Sequence, residues 1–145
     1  MPVVWVQHND DELVQGSTPW QRVPELVLAA GEPCIQKNFN SAFERTELDP
    51  LLAQLDVSRI VLAGAATNWC IRATAYGALD RGYDLTLLKD AHTTETIEFE
   101  DGRRIEANDI VDDLNIAMCW LAYPGRVNST ATAAEVTFVE IGATA

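Results

Sequence analysis

The stretch Ile60-Val61-Leu62-Ala63-Gly64-Ala65-Ala66-Thr67-Asn68-Trp69-Cys70-Ile71-Arg72-Ala73-Thr74-Ala75-Tyr76-Gly77-Ala78-Leu79-Asp80-Arg81-Gly82-Tyr83-Asp84-Leu85-Thr86-Leu87-Leu88 decides the fold. Its opening apolar run, Ile60 to Ala63, has the length of a buried strand. Gly64, Ala65 and Ala66 are small enough for a tight turn. Thr67 or Asn68 is suited to cap a helix, because either side-chain oxygen can accept from the free amides of a first turn. That helix is expected to run to about Arg81, with Gly82 as its stop, and Asp84 to Leu88 reads as a second strand. Strand, turn, helix and strand make one βαβ unit with parallel strands. Cys70 falls in the first turn of the helix, just past the carboxyl end of a strand, where open α/β sheets bind ligands.

Upstream, Val3-Val4-Trp5-Val6 opens a strand ending in Gln7-His8-Asn9-Asp10; its near-continuous apolar character suggests burial on both faces. Gly16-Ser17-Thr18-Pro19 is loop, and Cys34 to Lys37 is a short strand ending on a lysine. Thr46, with Asp49 three residues on, is expected to cap a helix through Leu55. Downstream, Ile97 to Ile105 reads as an excursion turning at Asp101-Gly102. A helix follows from a cap at Asn108, with the stripe Ile110, Leu114, Ala117, Met118 and Leu121. Val127 to Ala134 is small and polar, hence loop, and Glu135 to Ile141 alternates as a last strand. Strands separated by helices give a three-layer α/β/α sandwich with a mostly parallel sheet, expected as one domain over residues 1–145.

A net charge of -12 argues against a nucleic-acid partner, which requires Lys and Arg to neutralise phosphates. No apolar run reaches the length of a membrane span and no signal-like segment opens the chain, so a soluble cytoplasmic protein without membrane association is expected. Three cysteines without close pairing read as reduced thiols. Cys34 and Cys119 lie in a strand and a helix stripe and read as structural. The place of Cys70 at a helix N-terminus favours its thiolate. Lys37, at the end of its own strand, would favour it further if the two strands share a sheet edge.

The run Gly64-Ala65-Ala66-Thr67-Asn68-Trp69-Cys70-Ile71-Arg72-Ala73-Thr74, followed by Ala78, Gly82-Tyr83 and Asp90-Ala91-His92, resembles the signature of the isochorismatase-like cysteine hydrolases. The likeness extends to Gln7-His8, Gly16-Ser17, Trp20, Gly31-Glu32, Lys37, Ser41-Ala42-Phe43 and Thr46-Glu47-Leu48, and covers the chain from Val3 to about Phe138. That family includes nicotinamidases, N-carbamoylsarcosine amidases and isochorismatases. The resemblance implies a Rossmann-like fold in which Cys70 is the nucleophile and Lys37 the lysine of an Asp-Lys-Cys triad. It implies a non-proline cis peptide at Ala65-Ala66 that turns backbone amides, including that of Cys70, toward a substrate oxygen. The implied reaction is thiolate attack on a small-molecule amide, loss of ammonia or an amine, and hydrolysis of a thioester. It implies no cofactor, and self-association into dimers or larger homo-oligomers.

One departure stands against these matches. The resemblance implies a first strand, ending in the general-base aspartate, ahead of the strand matched by Val3 to Gln7. That strand-helix unit, roughly 25–30 residues with its connections, is missing here. In the family's order the lost strand is central, so its two neighbours would lack hydrogen-bond partners. The expectation is a chain that starts late, a sheet that closes over the gap, or a partner chain that fills it. Asp10 is the nearest carboxylate to a strand end, although Asn9-Asp10-Asp11 reads first as an exposed acidic loop. Two distant histidines, His8 and His92, do not make a metal site, and no metal is expected. His8, Trp20, Phe43 and Trp69 are expected to line a substrate pocket. Two functions follow: a cysteine hydrolase of small amides, or a catalytically impaired member acting as a binding or oligomerising module because the aspartate is absent.

Overall fold

The computed structural model describes residues 1–138. The elements in chain order are β1 (Trp5–His8), β2 (Cys34–Lys37), α1 (Leu48–Gln54), β3 (Arg59–Ala65), a π-helical turn (Thr67–Ile71), α2 (Arg72–Asp80), β4 (Asp84–Thr93), β5 (Ile97–Glu98), β6 (Arg104–Ile105), α3 (Ala107–Trp120) and β7 (Asn128–Ala131). Among the described residues no helix is long and apolar enough to cross a membrane.

The architecture is α/β with parallel strands, but the parallel strands form two sheets. β1 pairs with β2, while β3, β4 and β7 form a second sheet in that order. No pairing joins β1 to β3 among the described residues, so the sheet has not closed across the expected gap. Each of these two strands therefore presents one unpaired backbone edge. The consequence is visible in β1 and β3 themselves. Val6 is half-exposed, and Ala63, Gly64 and Ala65 are exposed. The sequence-based expectation that the first strand is buried on both faces is corrected accordingly, because among the described residues no strand lies beyond its free edge.

The βαβ unit forms as its periodicity demands, with β3 and β4 parallel from Arg59–Asp84 to Ala65–Thr93. The register shifts between Leu62 and Gly64, where β4 carries extra residues and thereby brings His92 and Thr93 beside the end of β3. Helix α2 is made largely of small residues, and Ala75, Ala78 and Leu79 on it are completely buried. They pack with Leu85 and Leu87 of β4, Leu114 and Met118 of α3, Leu48 and Leu52 of α1, and Phe43. Small side chains let the helix lie close to its neighbours, so this core holds by close packing. The excursion after β4 is a two-stranded antiparallel hairpin, β5 with β6, turning through Phe99–Arg103.

Three local expectations are corrected. The last described strand is β7, within a segment that reads as loop. It lies parallel to β4 from Leu85–Asn128 to Leu88–Ala131. Its polar side chains are satisfied where they lie: Ser129 Oγ is 3.2 Å from Thr86 Oγ1, and Asn128 Nδ2 donates to the Met118 and Leu121 carbonyls. Residues 135–138 are not in a strand, and the rest of the alternating stretch, 139–141, lies outside the described residues. Helix α1 starts after Glu47, whose own side chain makes no capping bond; Thr46 Oγ1 accepts from the Leu48 amide at 3.3 Å while donating to the Ala42 carbonyl. The helix that carries Cys70 opens with Ala66 at its cap position, while Thr67 bonds His92 of β4 and Asn68 bonds Thr94 just after it.

Two stability predictions arise from this packing. Leu79→Ala should cost about 3 kcal/mol, the usual range for emptying a packed leucine site, whereas Trp120→Ala, at an exposed position, should stay within about 0.5 kcal/mol. Urea denaturation of both variants measures this, and equal effects would contradict the core assignment. The second concerns Glu32, which accepts from Trp5 Nε1 at 2.6 Å and from the Ala29 amide at 3.0 Å. These two bonds, the indole first, hold its carboxyl below the ordinary value of 4.5. A lowered folded-state pKa gives stability that is present above pH 4.5 and lost as pH falls toward the folded value. Glu32→Gln should therefore be less stable than wild type at neutral pH, with the difference vanishing in acid; thermal melts across pH check it.

Candidate active site

The two sheets meet at a lysine. Lys37 ends β2 and is buried, with its Nζ 3.0 Å from Cys70 Sγ, 2.9 Å from the Phe39 carbonyl and 3.0 Å from His8 Nδ1. An ammonium has three N–H groups to donate, and here are three acceptors. A buried cation left without partners would be costly, so these contacts fix both the charge and its place. With Lys37 as the ammonium, His8 Nδ1 accepts, and the remaining ring proton sits on Nε2. That nitrogen donates to Asp10 Oδ2 at 3.1 Å. Asp10 in turn accepts from the Leu13 amide at 2.6 Å and the Glu12 amide at 2.9 Å. These amide bonds, that of Leu13 foremost, and the neighbouring His8 hold the Asp10 carboxyl below its ordinary range.

Cys70 is partly buried and belongs to the π-helical turn that leads into α2. Gly64 precedes the turn at φ 129°, a backbone setting that a side chain would strain. The Ala65–Ala66 peptide is cis, and the Ala66 carbonyl accepts from the amides of Trp69 and Ile71. The turn is held from behind by buried His92, which contacts Thr67 Oγ1 through Nδ1 at 2.9 Å and Asn115 Oδ1 through Nε2 at 3.0 Å. Asn68 Oδ1 accepts from Thr94 Oγ1 at 2.6 Å. Asp90 caps the Ala133 amide at 2.8 Å, and Arg72 pairs with Asp113 of α3.

Of the four residues expected around a pocket, His8 faces Lys37, and Trp69, adjacent to Cys70, is exposed. Trp20 donates its indole N–H to Asn9 Oδ1 and accepts from Gln7 Nε2 through its carbonyl, which seats it over the end of β1. Phe43 is a correction: it belongs to the core, 5% exposed, stacked on Tyr83 with ring centroids 6.0 Å apart. A Cβ at Gly77 would come within 3.2 Å of its ring, so α2 closes over it and no substrate can reach it. His8 and His92 serve separate sets of partners, Lys37 with Asp10 and Thr67 with Asn115. Two surface hollows of about 390 and 380 Å³ lie at Leu121–Asn128 and Phe99–Arg103, and neither is lined by Cys70, Lys37 or His8. The Asp10–His8 link to Lys37 was missed by sequence reasoning. Its signal is the two-residue spacing at the end of an apolar strand, which pointed only to an exposed acidic loop.

The fold has counterparts among known proteins. The chain belongs to the isochorismatase family: the family model described as isochorismatase domain matches residues 1–106. It is 34% identical over 89 residues to maleamate amidohydrolase of Pseudomonas putida, covering 60% of this chain and 42% of that protein. It is 28% identical over 88 residues to nicotinamidase 3 of Arabidopsis thaliana, covering 59% of this chain and 44% of that protein. The chain thus spans less than half the length of these two relatives. The crystal structure of an isochorismatase from Pseudomonas putida superposes with a TM-score of 0.81 at 27% identity, over 94% of this chain and 69% of that one.

The three thiols offer a direct test of the site. Cys119 is exposed, whereas Cys34 and Cys70 are only partly so. Exposure alone would have Cys119 react first; the ammonium beside Cys70 should reverse that order. Limited labelling with iodoacetamide at neutral pH, read by peptide mass spectrometry, is expected to find Cys70 modified ahead of the other two. Preferential labelling of Cys119 would reduce the Lys37 contact to packing.

Proposed function

We propose that the chain is a cysteine hydrolase of a small amide, with Cys70 as nucleophile and Lys37 as the cation that stabilises its thiolate. The observation that carries this reading is the 3.0 Å contact between Lys37 Nζ and Cys70 Sγ, made by a buried lysine at the end of one strand and a thiol just beyond the end of another. A thiolate so held adds to the amide carbonyl carbon, and the carbonyl electron pair moves onto oxygen. Backbone amides of the Ala65–Cys70 turn, that of Cys70 among them, are the donors assigned to that oxyanion. Collapse expels the amine and leaves a thioester on Cys70; water then adds to the thioester and releases the acid. The names of the relatives, an amidohydrolase and a nicotinamidase, favour a carbon–nitrogen bond as the one cleaved. The scheme needs no metal or cofactor.

A second reading is favoured by one observation, the edges of β1 and β3 that no strand covers among the described residues. Unpaired strand edges are ready templates for another chain. On that reading the protein works as a binding module, or as a homo-oligomer in which copies cover one another's edges. Self-association is compatible with hydrolysis as well, so activity is the discriminating measurement.

Ammonia release across a panel of small primary amides is the deciding assay. Wild type should hydrolyse at least one member, Cys70→Ser should lose at least about a thousandfold in kcat, and Lys37→Met should lose roughly a hundredfold or more. Light scattering run alongside reports the oligomeric state. No turnover of any amide by a folded wild-type chain would sink the hydrolase reading and leave the binding module.

A further inference from the structure

The Lys37–Cys70 contact holds only while the turn that carries the sulfur keeps its place, and the side chains behind that turn show how it is kept. We infer that His92, itself fixed by Asn115, is a positioning residue: acting through Thr67, it sets Cys70 against the Lys37 ammonium. This deepens the proposed function and rests on it. His92 and Asn115 bond neither the thiol nor Lys37, so their influence passes through the turn.

The partners fix where each proton lies. Asn115 Nδ2 donates to the Lys89 carbonyl of β4 at 3.4 Å, which turns Asn115 Oδ1 toward the imidazole. That oxygen can only accept, and it stands 3.0 Å from His92 Nε2, so the ring proton sits on Nε2. A neutral imidazole has one N–H, so Nδ1 is bare and accepts from the Thr67 hydroxyl at 2.9 Å. All the bonds then run one way, from Thr67 to His92, to Asn115, and onto a backbone carbonyl. Each member is held to one orientation by the next, and a fully satisfied chain of this kind is rigid.

Burial decides that this tie outweighs its neighbour. Thr67 is fully buried and His92 is 7% exposed, so neither group can turn to water if the other is lost. The second tie from α3, Arg72 with Asp113, joins side chains 32% and 68% exposed, where water and salt weaken a pair. Thr67 is also where the side-chain chain meets the backbone of the turn. It is the first residue of the π-helical turn, and its carbonyl accepts from the Arg72 amide. Cys70 lies between those two residues. Its sulfur is 3.0 Å from Lys37 Nζ, and a displacement of about 1 Å takes it out of hydrogen-bonding reach.

Alkylation by iodoacetamide tests this without a substrate, and the other cysteines serve as internal references, Cys119 exposed and Cys34 partly buried. Thr67→Val keeps the branched shape and removes the donor. It should lower the Cys70 rate relative to Cys119 by about tenfold, because the thiolate loses its cation, while Cys34 keeps its wild-type rate. Thr67→Ser returns the hydroxyl and should recover most of the loss. His92→Leu should match Thr67→Val, and Asn115→Leu, which lets the ring carry its proton on either nitrogen, should lose less. A wild-type ratio of Cys70 to Cys119 labelling in Thr67→Val overturns the inference, as does a Thr67→Ser rate no better than that of Thr67→Val. Faster labelling of Cys34 and Cys70 together marks a role in stability alone and also overturns it. Should the variants fail to fold, NMR of the imidazole nitrogens in the wild-type protein carries the test: a proton on His92 Nδ1 in place of Nε2 overturns the arrangement. With any amide that the chain hydrolyses, Thr67→Val should lower kcat by about a hundredfold with KM unchanged, the usual cost of a small misplacement at a nucleophile; an unaltered kcat overturns the inference. If no amide is hydrolysed while Thr67→Val slows Cys70 labelling and Thr67→Ser restores it, the positioning role stands and the hydrolase reading falls.

Discussion

A buried ammonium must place each of its three N–H groups, and that requirement organises this molecule. Lys37 is 5% exposed, and its donors go to a thiol, a backbone carbonyl and an imidazole that arrive from three different segments. Removing any acceptor leaves one N–H of the buried ammonium without a partner, which is costly where water does not reach it easily. The end of β2, the residues after it, the end of β1 and the turn after β3 are therefore held together by one side chain. The chemistry proposed for the site rests on one of these bonds, that from Lys37 to Cys70.

The backbone around this point is arranged to keep the contact in place. Small residues on α2 allow the helix to pack closely on its neighbours, and the turn that leads into it is anchored from behind by His92. The extra residues in β4 matter here, since without that shift in register His92 would not stand beside the end of β3. An irregularity in a sheet thus serves to position a side chain, as bulges near functional sites commonly do. Thr67 and Asn68, which propensity alone would assign to capping, are engaged by His92 and Thr94 instead. Their side chains tie the turn to β4 and the residues after it.

Much of this was legible in the sequence, and what was not has identifiable causes. The βαβ unit around Gly64 could be read because its periodicity changes at small residues; Lys37 beside Cys70 was expected on a shared sheet edge and from the family resemblance, and the contact forms although their strands lie in different sheets. β7 could not, because Asn128, Ser129 and Thr130 have no strand-like pattern of their own. They are a strand because β4 offers an edge and their polar atoms find partners beside it. Phe43 looked like a pocket residue from its place near the Lys37 loop. Whether an aromatic in a loop turns inward depends on what closes over it, and here Gly77 leaves the space. Asp10 read as a solvated charge, since nothing in a linear string shows that its loop folds back onto His8.

The division of the sheet has one more consequence, and it concerns the order in which the molecule comes together. β1 and β2 are drawn from residues 5–37, and β3, β4 and β7 from residues 59–131, so each sheet comes from its own continuous portion of the chain. Contacts close in sequence form at lower entropic cost than distant ones. The thiol and its lysine lie in different portions, and neither sheet alone contains both. The reactive centre is thus a product of tertiary assembly: it exists only where the two sheets are packed together, and its reactivity is a readout of that docking.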